Sequence, residues 1–399
     1  MNRKIIHLDL DAFFCAVEEL RNPSLVGVAF AVGGRPEERG VVTSCSYAAR
    51  RFGVRSAMPM ARALKLCPGM TIVSSNHKEY SSASRQVMER LRRLTDLVEQ
   101  ISIDEAFLDV SALHDSGFDI ARYLQSTIRD ELHLPCSLGV ASNKLVAKIA
   151  TDVGKAGESG DKPPCAITVV PTGEEAAFLA PLPVEALWGV GPKTAARLAE
   201  LHVTKIGELA AYPEIELRRL FGKNGQELSM HARGIDDRPI VTSREVKSIS
   251  QETTFTRDIS NEEMLMRTLF ELCDRVGSRL RQSHLSGSTV KIKIRWPDFT
   301  TCTRQMTLAQ TTDQESQIYA SAVQLFSKEW RKGQPVRLLG VGISGLRPSA
   351  RQLSLWDETS DKEQRLRKAV DGLRNKYGEG VLLRGSRLKP DEHSNYGSS

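Results

Sequence analysis

The chain has 399 residues, 40% hydrophobic and 26% charged, an ordinary globular composition that excludes collagen-like and disordered classes. At roughly 100–200 residues per domain, that length predicts two to four domains. No run approaches the ~18 apolar residues of a membrane span, and Asp9 and Asp11 interrupt the first apolar segment, where a secretory signal needs continuity. The expectation is a cytoplasmic protein.

In chain order, Ile6, Leu8 and Leu10 alternate with His7, Asp9 and Asp11, the period of a half-buried strand over 4–10. Gly33-Gly34-Arg35-Pro36 signals a turn, and a strand-like Val41–Ser44 precedes a basic segment from Tyr47 to Arg55. Val87, Leu91, Leu94 and Val98 predict a helix over 80–98. Ile101–Asp104 alternates again before Phe107, Leu108 and Val110, which predicts two short strands joined by a tight turn at Asp104-Glu105. A helix over 120–132, a small-residue strand over 137–141, a helix near 144–151 and a long loop over 154–164 follow. Short helices are expected from about Pro181 to Asp236, then a polar linker over 237–246. Residues 247–346 order as βαββαβ, a small sheet with two helices on one face. The irregular mixture makes the class α+β. Seven scattered cysteines form no CxxC pair, so reduced, mostly buried thiols are expected.

Three constellations carry chemistry. If the first strand and the one after Asp104 are neighbours, Asp9, Asp104 and Glu105 converge, and such mutual repulsion is relieved by divalent cations; hard oxygen donors favour Mg²⁺ and in-line phosphoryl chemistry. Any one of these acids alone reads as a solvated strand end. Tyr47, Arg50, Arg51, Arg55 and Lys155 offer groups that match phosphate oxygens, although basic helices are often only exposed. Gly189-Val190-Gly191 before Pro192–Leu198, with Lys193 and Arg197, has the spacing of a helix-hairpin-helix turn whose amides meet a DNA phosphate; an ordinary helix–helix turn also needs such glycines. Net charge is +6, and residues 237–350 hold 17 basic and 12 acidic side chains, pointing to a polyanion partner or a solvated face.

Asp9-Leu10-Asp11-Ala12-Phe13-Phe14, Tyr47–Arg50, Gly53–Pro59, Ser102–Asp109 and Gly139–Lys144 together resemble the motifs of Y-family translesion DNA polymerases, in the same order and over residues 4–346. The resemblance implies a right-hand polymerase: palm over 1–10 and 76–165, fingers over 11–75, a helix-hairpin-helix thumb over 166–236, a little finger over 243–346 and a C-terminal tail over 347–399. It implies error-prone synthesis from dNTP on primer-template DNA, by a monomer without proofreading. Asp9, Asp104, Glu105 and the Leu10 carbonyl would hold two Mg²⁺. Phe13, Phe14, Ser44, Tyr47, Arg50 and Lys155 would surround the nucleotide, with Phe14 as the steric gate against a 2′-hydroxyl; an adjacent Phe pair is also common core packing. Ala156-Gly157 after Lys155 departs from the family pattern, which leaves Lys162 as a second candidate. DNA would meet Gly189, Gly191, Lys193 and Arg197, and Lys247, Lys291, Lys293 and Arg295. Gln352, Leu353, Leu355 and Trp356, an apolar island in a polar stretch, resemble a peptide that binds the bacterial sliding clamp; an edge strand is the alternative.

Two rivals are weighed. A catalytically silent, polymerase-like DNA-binding accessory protein gains nothing from three acids beside phosphates. A nucleotidyl cyclase has no use for the Gly189–Gly191 turn or a basic C-terminal third.

Overall fold

The computed structural model describes residues 3–157, 160, 162–349, 369–370, 372–373 and 376–377. The residues Gln352, Leu353, Leu355 and Trp356, and half of the helix-spaced stretch 366–377, lie outside them. Two units divide the chain, Met1–Glu245 and Val246–Ser399.

The first unit runs β1 (Ile5–Leu10), α1 (Phe13–Arg21), β2 (Phe30–Gly33), β3 (Val42–Cys45), α2 (Tyr47–Arg50), α3 (Met60–Leu66), β4 (Thr71–Val73), α4 (His77–Leu94), β5 (Val98–Gln100), β6 (Glu105–Asp109), α5 (Gly117–Leu132), β7 (Cys136–Ala141), α6 (Lys144–Gly157) and β8 (Ile167–Val169). Five short helices close it: α7 (Glu175–Leu179), α8 (Pro192–Ala199), α9 (Ile206–Ala211), α10 (Glu214–Phe221) and α11 (Lys223–Ala232). Its main sheet has the order β5-β6-β1-β7-β8, and β1 pairs antiparallel with both neighbours. A smaller sheet, β3-β2-β4, has its own core around Val42, Val54 and Met60.

β1 is covered on both faces. Leu8 and Leu10 join the core with Tyr80, Leu91 and Leu124 from α4 and α5. Ile5 lies on the other face with Leu145, Val146 and Ile149 of α6. His7, expected on a polar face, is instead fully buried, its Nδ1 2.9 Å from the Thr151 hydroxyl.

Two local expectations are corrected. Ile101–Asp104 is a turn, and the strand lies earlier at 98–100. The Ser102 hydroxyl accepts from the Asp104 and Glu105 amides, a side-chain turn that competes with strand pairing. Lys155 is not in a loop, since α6 continues through Gly157. Side-chain caps set three helix starts, the Asn76, Ser116 and Asn261 side chains accepting from the amides three residues on; α4 and α5 thus begin three residues before the expected 80 and 120, and α4 ends at Leu94 rather than 98.

The second unit runs β9 (Ser248–Ile259), α12 (Glu262–Gln282), β10 (Leu285–Arg295), β11 (Thr301–Thr312), α13 (Glu315–Glu329) and β12 (Val336–Ser344), then a two-residue β13 (Arg347–Pro348). This is the expected βαββαβ order, with sheet order β11-β10-β12-β9. Val290, Ile292 and Ile294 bury against Leu269, Val276 and Phe326 of α12 and α13. Lys291, Lys293 and Arg295 alternate with them and occupy the other sheet face.

α6 approaches β7 most closely at Gly139, where an added methyl would overlap the Ala147 carbonyl and sit 2.6 Å from the Thr151 amide. Gly139→Ala is expected to destabilise the protein by about 3 kcal/mol, which for a unit of this size lowers Tm by about 10 °C. Thermal unfolding checks this; an unchanged Tm would mean that α6 does not rest on that strand.

Candidate active site

The site is built at the end of the central strand. Asp9 pairs with Glu105 of β6 on one side and Ser137 of β7 on the other. Asp104 sits in the turn before Glu105, its carbonyl accepting from the Leu10 amide at 3.0 Å. The Ser102 hydroxyl donates to Asp104 Oδ1 at 2.5 Å. Immediately after β1, Ala12 takes a left-handed conformation (φ 46°) that turns the chain into α1.

The acids do not close on one another. Among the described residues, no three Asp, Glu, His or Cys side chains form a ready metal-binding group. α6 supplies the compensating charge instead. Lys155 Nζ lies 2.5 Å from Asp9 Oδ1 and 3.1 Å from Asp11 Oδ1, and Lys148 Nζ lies 3.0 Å from Glu105 Oε1. Asp11 is wholly buried and also accepts from the Ser137 hydroxyl and the Cys165 amide. Burial pushes the Asp9 carboxyl up to about 7; Lys155 opposes that rise, while Glu105 and Asp104 add to it. Burial disfavours the Lys155 ammonium, yet Asp9 and Asp11 hold it above the usual lysine range. A desolvated carboxylate crowded by two others, all hard oxygen donors, suits a hard divalent cation.

Next to these acids, Ser46 caps α2, and the Arg50 guanidinium lies 4.5 Å over the Tyr47 ring. Burial and the Asp11 and Asp9 charges push the Tyr47 phenol up against a smaller opposing pull from Arg50, so it stays a donor. Tyr47, Asp11, Ala12, Ser46, Pro135 and Pro163 help line a small cleft. Phe14 is half-buried; it stacks on Tyr80 at 4.1 Å and meets His77 edge-on at 5.9 Å. Phe13, only 2% exposed, belongs to the core, so its side chain has no face for a nucleotide. Ser44 is also nearly buried, accepting from the Cys15 thiol. Lys162 is exposed, whereas Lys155 stands at the acids.

Gly189 has φ 99° and Gly191 caps α8. Lys193 is exposed, and the Arg197 guanidinium lies 4.9 Å from the Phe221 ring. In the second unit, Lys247 and Lys291 are exposed, Lys293 bonds Glu252 at 2.8 Å and Arg295 donates to the Thr301 hydroxyl.

Sequence reading missed Lys148, Asp152 and the roles of Ser102 and Ser137. The signal for the first two was present: Lys144, Lys148, Asp152 and Lys155 recur at intervals of four, four and three, one face of a helix.

Three family models match the chain: the impB/mucB/samB family over 8–152, its C-terminal domain over 246–355 and the HHH motif of that family over 172–203. A DNA polymerase IV from Desulfatibacillum aliphaticivorans is 40% identical over 385 residues, 95% of each chain. The chain belongs to the impB/mucB/samB family, the Y-family of DNA polymerases. DNA polymerase IV 1 of Bacillus subtilis is 37% identical over 100% of this chain and 96% of its own. The solved structure of a Y-family DNA polymerase chimera of Dbh and Dpo4 superposes with TM-score 0.76 over 86% of this chain and 98% of its own, at 24% identity. That likeness shows the right-hand polymerase fold.

Cys165 is the exposed one of seven thiols. Partial burial and the Asp11 carboxylate push it above its usual value of 9.0. Alkylation of the native protein should therefore label Cys165 first, with a rate still climbing beyond pH 9 as the thiolate forms. Peptide mass spectrometry across a pH series reads this; a plateau below pH 9 would separate Cys165 from Asp11.

Proposed function

We propose that this Y-family member performs template-directed, error-prone translesion DNA synthesis, transferring nucleotides from dNTP to a primer 3′-hydroxyl without proofreading. The observation that carries the reading is Asp9 held opposite Glu105, with Asp104 in the adjoining turn, in a chain 40% identical to a DNA polymerase IV. In this reading the palm is 1–10 and 76–165, the fingers 11–75, the thumb 166–236 and the little finger 243–346. Asp9, Asp104, Glu105 and the Leu10 carbonyl would hold two Mg²⁺. When bound, such ions lower the pKa of the attacking hydroxyl and neutralise charge on the phosphates.

The chain's own residues do the rest. Lys155, which here pairs with Asp9 and Asp11, would turn to the triphosphate beside Tyr47 and Arg50 and offset charge on the leaving pyrophosphate. Phe14, held by its stack on Tyr80, presents a rigid ring under the sugar, so a 2′-hydroxyl has no room. The Gly189–Gly191 turn with Lys193 and Arg197 holds a backbone phosphate without reading sequence. Lys247, Lys291, Lys293 and Arg295 add a basic surface for the duplex. The tail residues Gln352, Leu353, Leu355 and Trp356 tether the monomer to a bacterial sliding clamp in the cytoplasm. No helix of the described residues is long and apolar enough to cross a membrane.

Asp104→Ala is expected to reduce primer extension by at least about 10³-fold while changing primer-template Kd less than about threefold. Gel-based extension and anisotropy titration test it; retained extension removes Asp104 from the chemistry. Phe14→Ala should raise ribonucleotide incorporation by at least about tenfold relative to deoxynucleotide. Single-nucleotide kinetics with paired dNTP and rNTP decide, and an unchanged ratio takes the gate away from Phe14.

A further inference from the structure

Residues 235–247 contain no helix or strand, yet much of this segment is tied to the first unit. The Asn143 amide donates to the Gly234 carbonyl at 2.8 Å. Asp236, 5% exposed, accepts from the Leu145 amide and from Arg238. Arg238 in turn lies 4.9 Å over the Trp188 ring. The last fastening is Glu99 on β5, whose side chain is 2% exposed. It accepts from Lys144 Nζ at 2.8 Å, the Val241 amide at 2.9 Å and Arg244 at 2.5 Å, while Lys144 also donates to the Pro239 carbonyl.

A buried ion pair adds little net stability, since removing two charges from water offsets their attraction. What it does enforce is a single geometry. Burial raises the Glu99 carboxyl, but Lys144, the Val241 amide and Arg244 together hold it below the usual glutamate range. Nothing in the nucleotidyl transfer described above uses this group, and two of its three donors come from the connecting segment.

We infer that Glu99 is a positioning residue that straps 239–244 down and so shortens the tether to the DNA-gripping second unit. This rests on the polymerase reading. With Arg244 fastened, only Glu245, Val246 and Lys247 separate it from Ser248, the first residue of β9; that stretch spans at most about 14 Å. Released at Glu99 but still held at Asp236 and Arg238, the free tether grows from three residues to nine, 239–247. Effective concentration falls roughly as the −3/2 power of tether length, so the second unit engages DNA already held by the first about fivefold less well. Loss of Arg244 alone, with the Val241 amide still bound, frees six residues and costs about threefold.

The experiment uses the full-length protein as Glu99→Gln, Arg244→Ala and Arg244→Lys. Primer-template Kd at fixed salt should rise about fivefold for Glu99→Gln and threefold for Arg244→Ala, and return to within twofold for Arg244→Lys. Single-turnover incorporation at saturating DNA should stay within twofold throughout. Hydrogen exchange at amides 239–244 should quicken in Glu99→Gln, a readout that needs no polymerase activity; an inactive wild type would therefore sink the functional reading while leaving the strap testable. Arg244 is largely exposed, so its variants keep the test alive if Glu99→Gln fails to fold. Unchanged exchange, or unchanged Kd in both Glu99→Gln and Arg244→Ala, overturns the inference. So does lost single-turnover rate at unchanged Kd, which would move Glu99 into the chemistry.

Discussion

One ammonium group makes the candidate site possible. Asp9 and Asp11 lie two residues apart at the end of the same strand, and burial presses Asp9 towards neutrality. Lys155 meets both and offsets their charge. Asp11 is further fixed by the Ser137 hydroxyl and the Cys165 amide. It is thereby the fixed post, and Asp9, more exposed and less satisfied, is the adaptable one. The asymmetry explains why two acids from one short motif take different roles: a carboxylate whose oxygens already accept from several donors has little left to offer a new ligand.

The rest of the first unit serves that contact. The absence of a side chain at Gly139 lets α6 lie close on β7, which carries Lys148 and Lys155 over the strand ends. The same helix begins with Lys144 in Glu99, so one face of α6 holds the acids at its end and the connecting segment at its start. Phe107 links the two, packed on His7 at 4.8 Å and on Trp188 at 5.8 Å, one register step from Glu105. The glycine turn that would face DNA is thus mechanically continuous with the strand that carries an acid.

Much of this was legible in the residues. Alternation located β1, and the regular apolar spacing of 262–344 disclosed the βαββαβ unit because each element there packs one face. Failures arose where a side chain competed with the backbone or a distant segment changed burial. Ile101–Asp104 alternates like a strand, but Ser102 spends its hydroxyl on two amides and makes a turn. That Asp9 and Glu105 are neighbours was foreseen as a matter of strand pairing; the α6 lysines that meet these acids were not, since pairings across 146 and 43 residues leave no local trace. Phe13 and Phe14 are indistinguishable in sequence, and only the turn at Ala12 sends one into the core and the other to the rim.

The central strand has no early companion. Its partners are residues 105–109 and 136–141, so neither exists when Ile5–Leu10 leaves the ribosome. At roughly 5–20 residues per second, the second partner follows after about 7–30 s, and long-range pairing of this kind is intrinsically slow. The end of β1 that carries Asp9 is therefore made well before it can be assembled. Throughout that interval at least one edge of an apolar strand stands open, within reach of any neighbouring chain, an aggregation risk that belongs to translation itself.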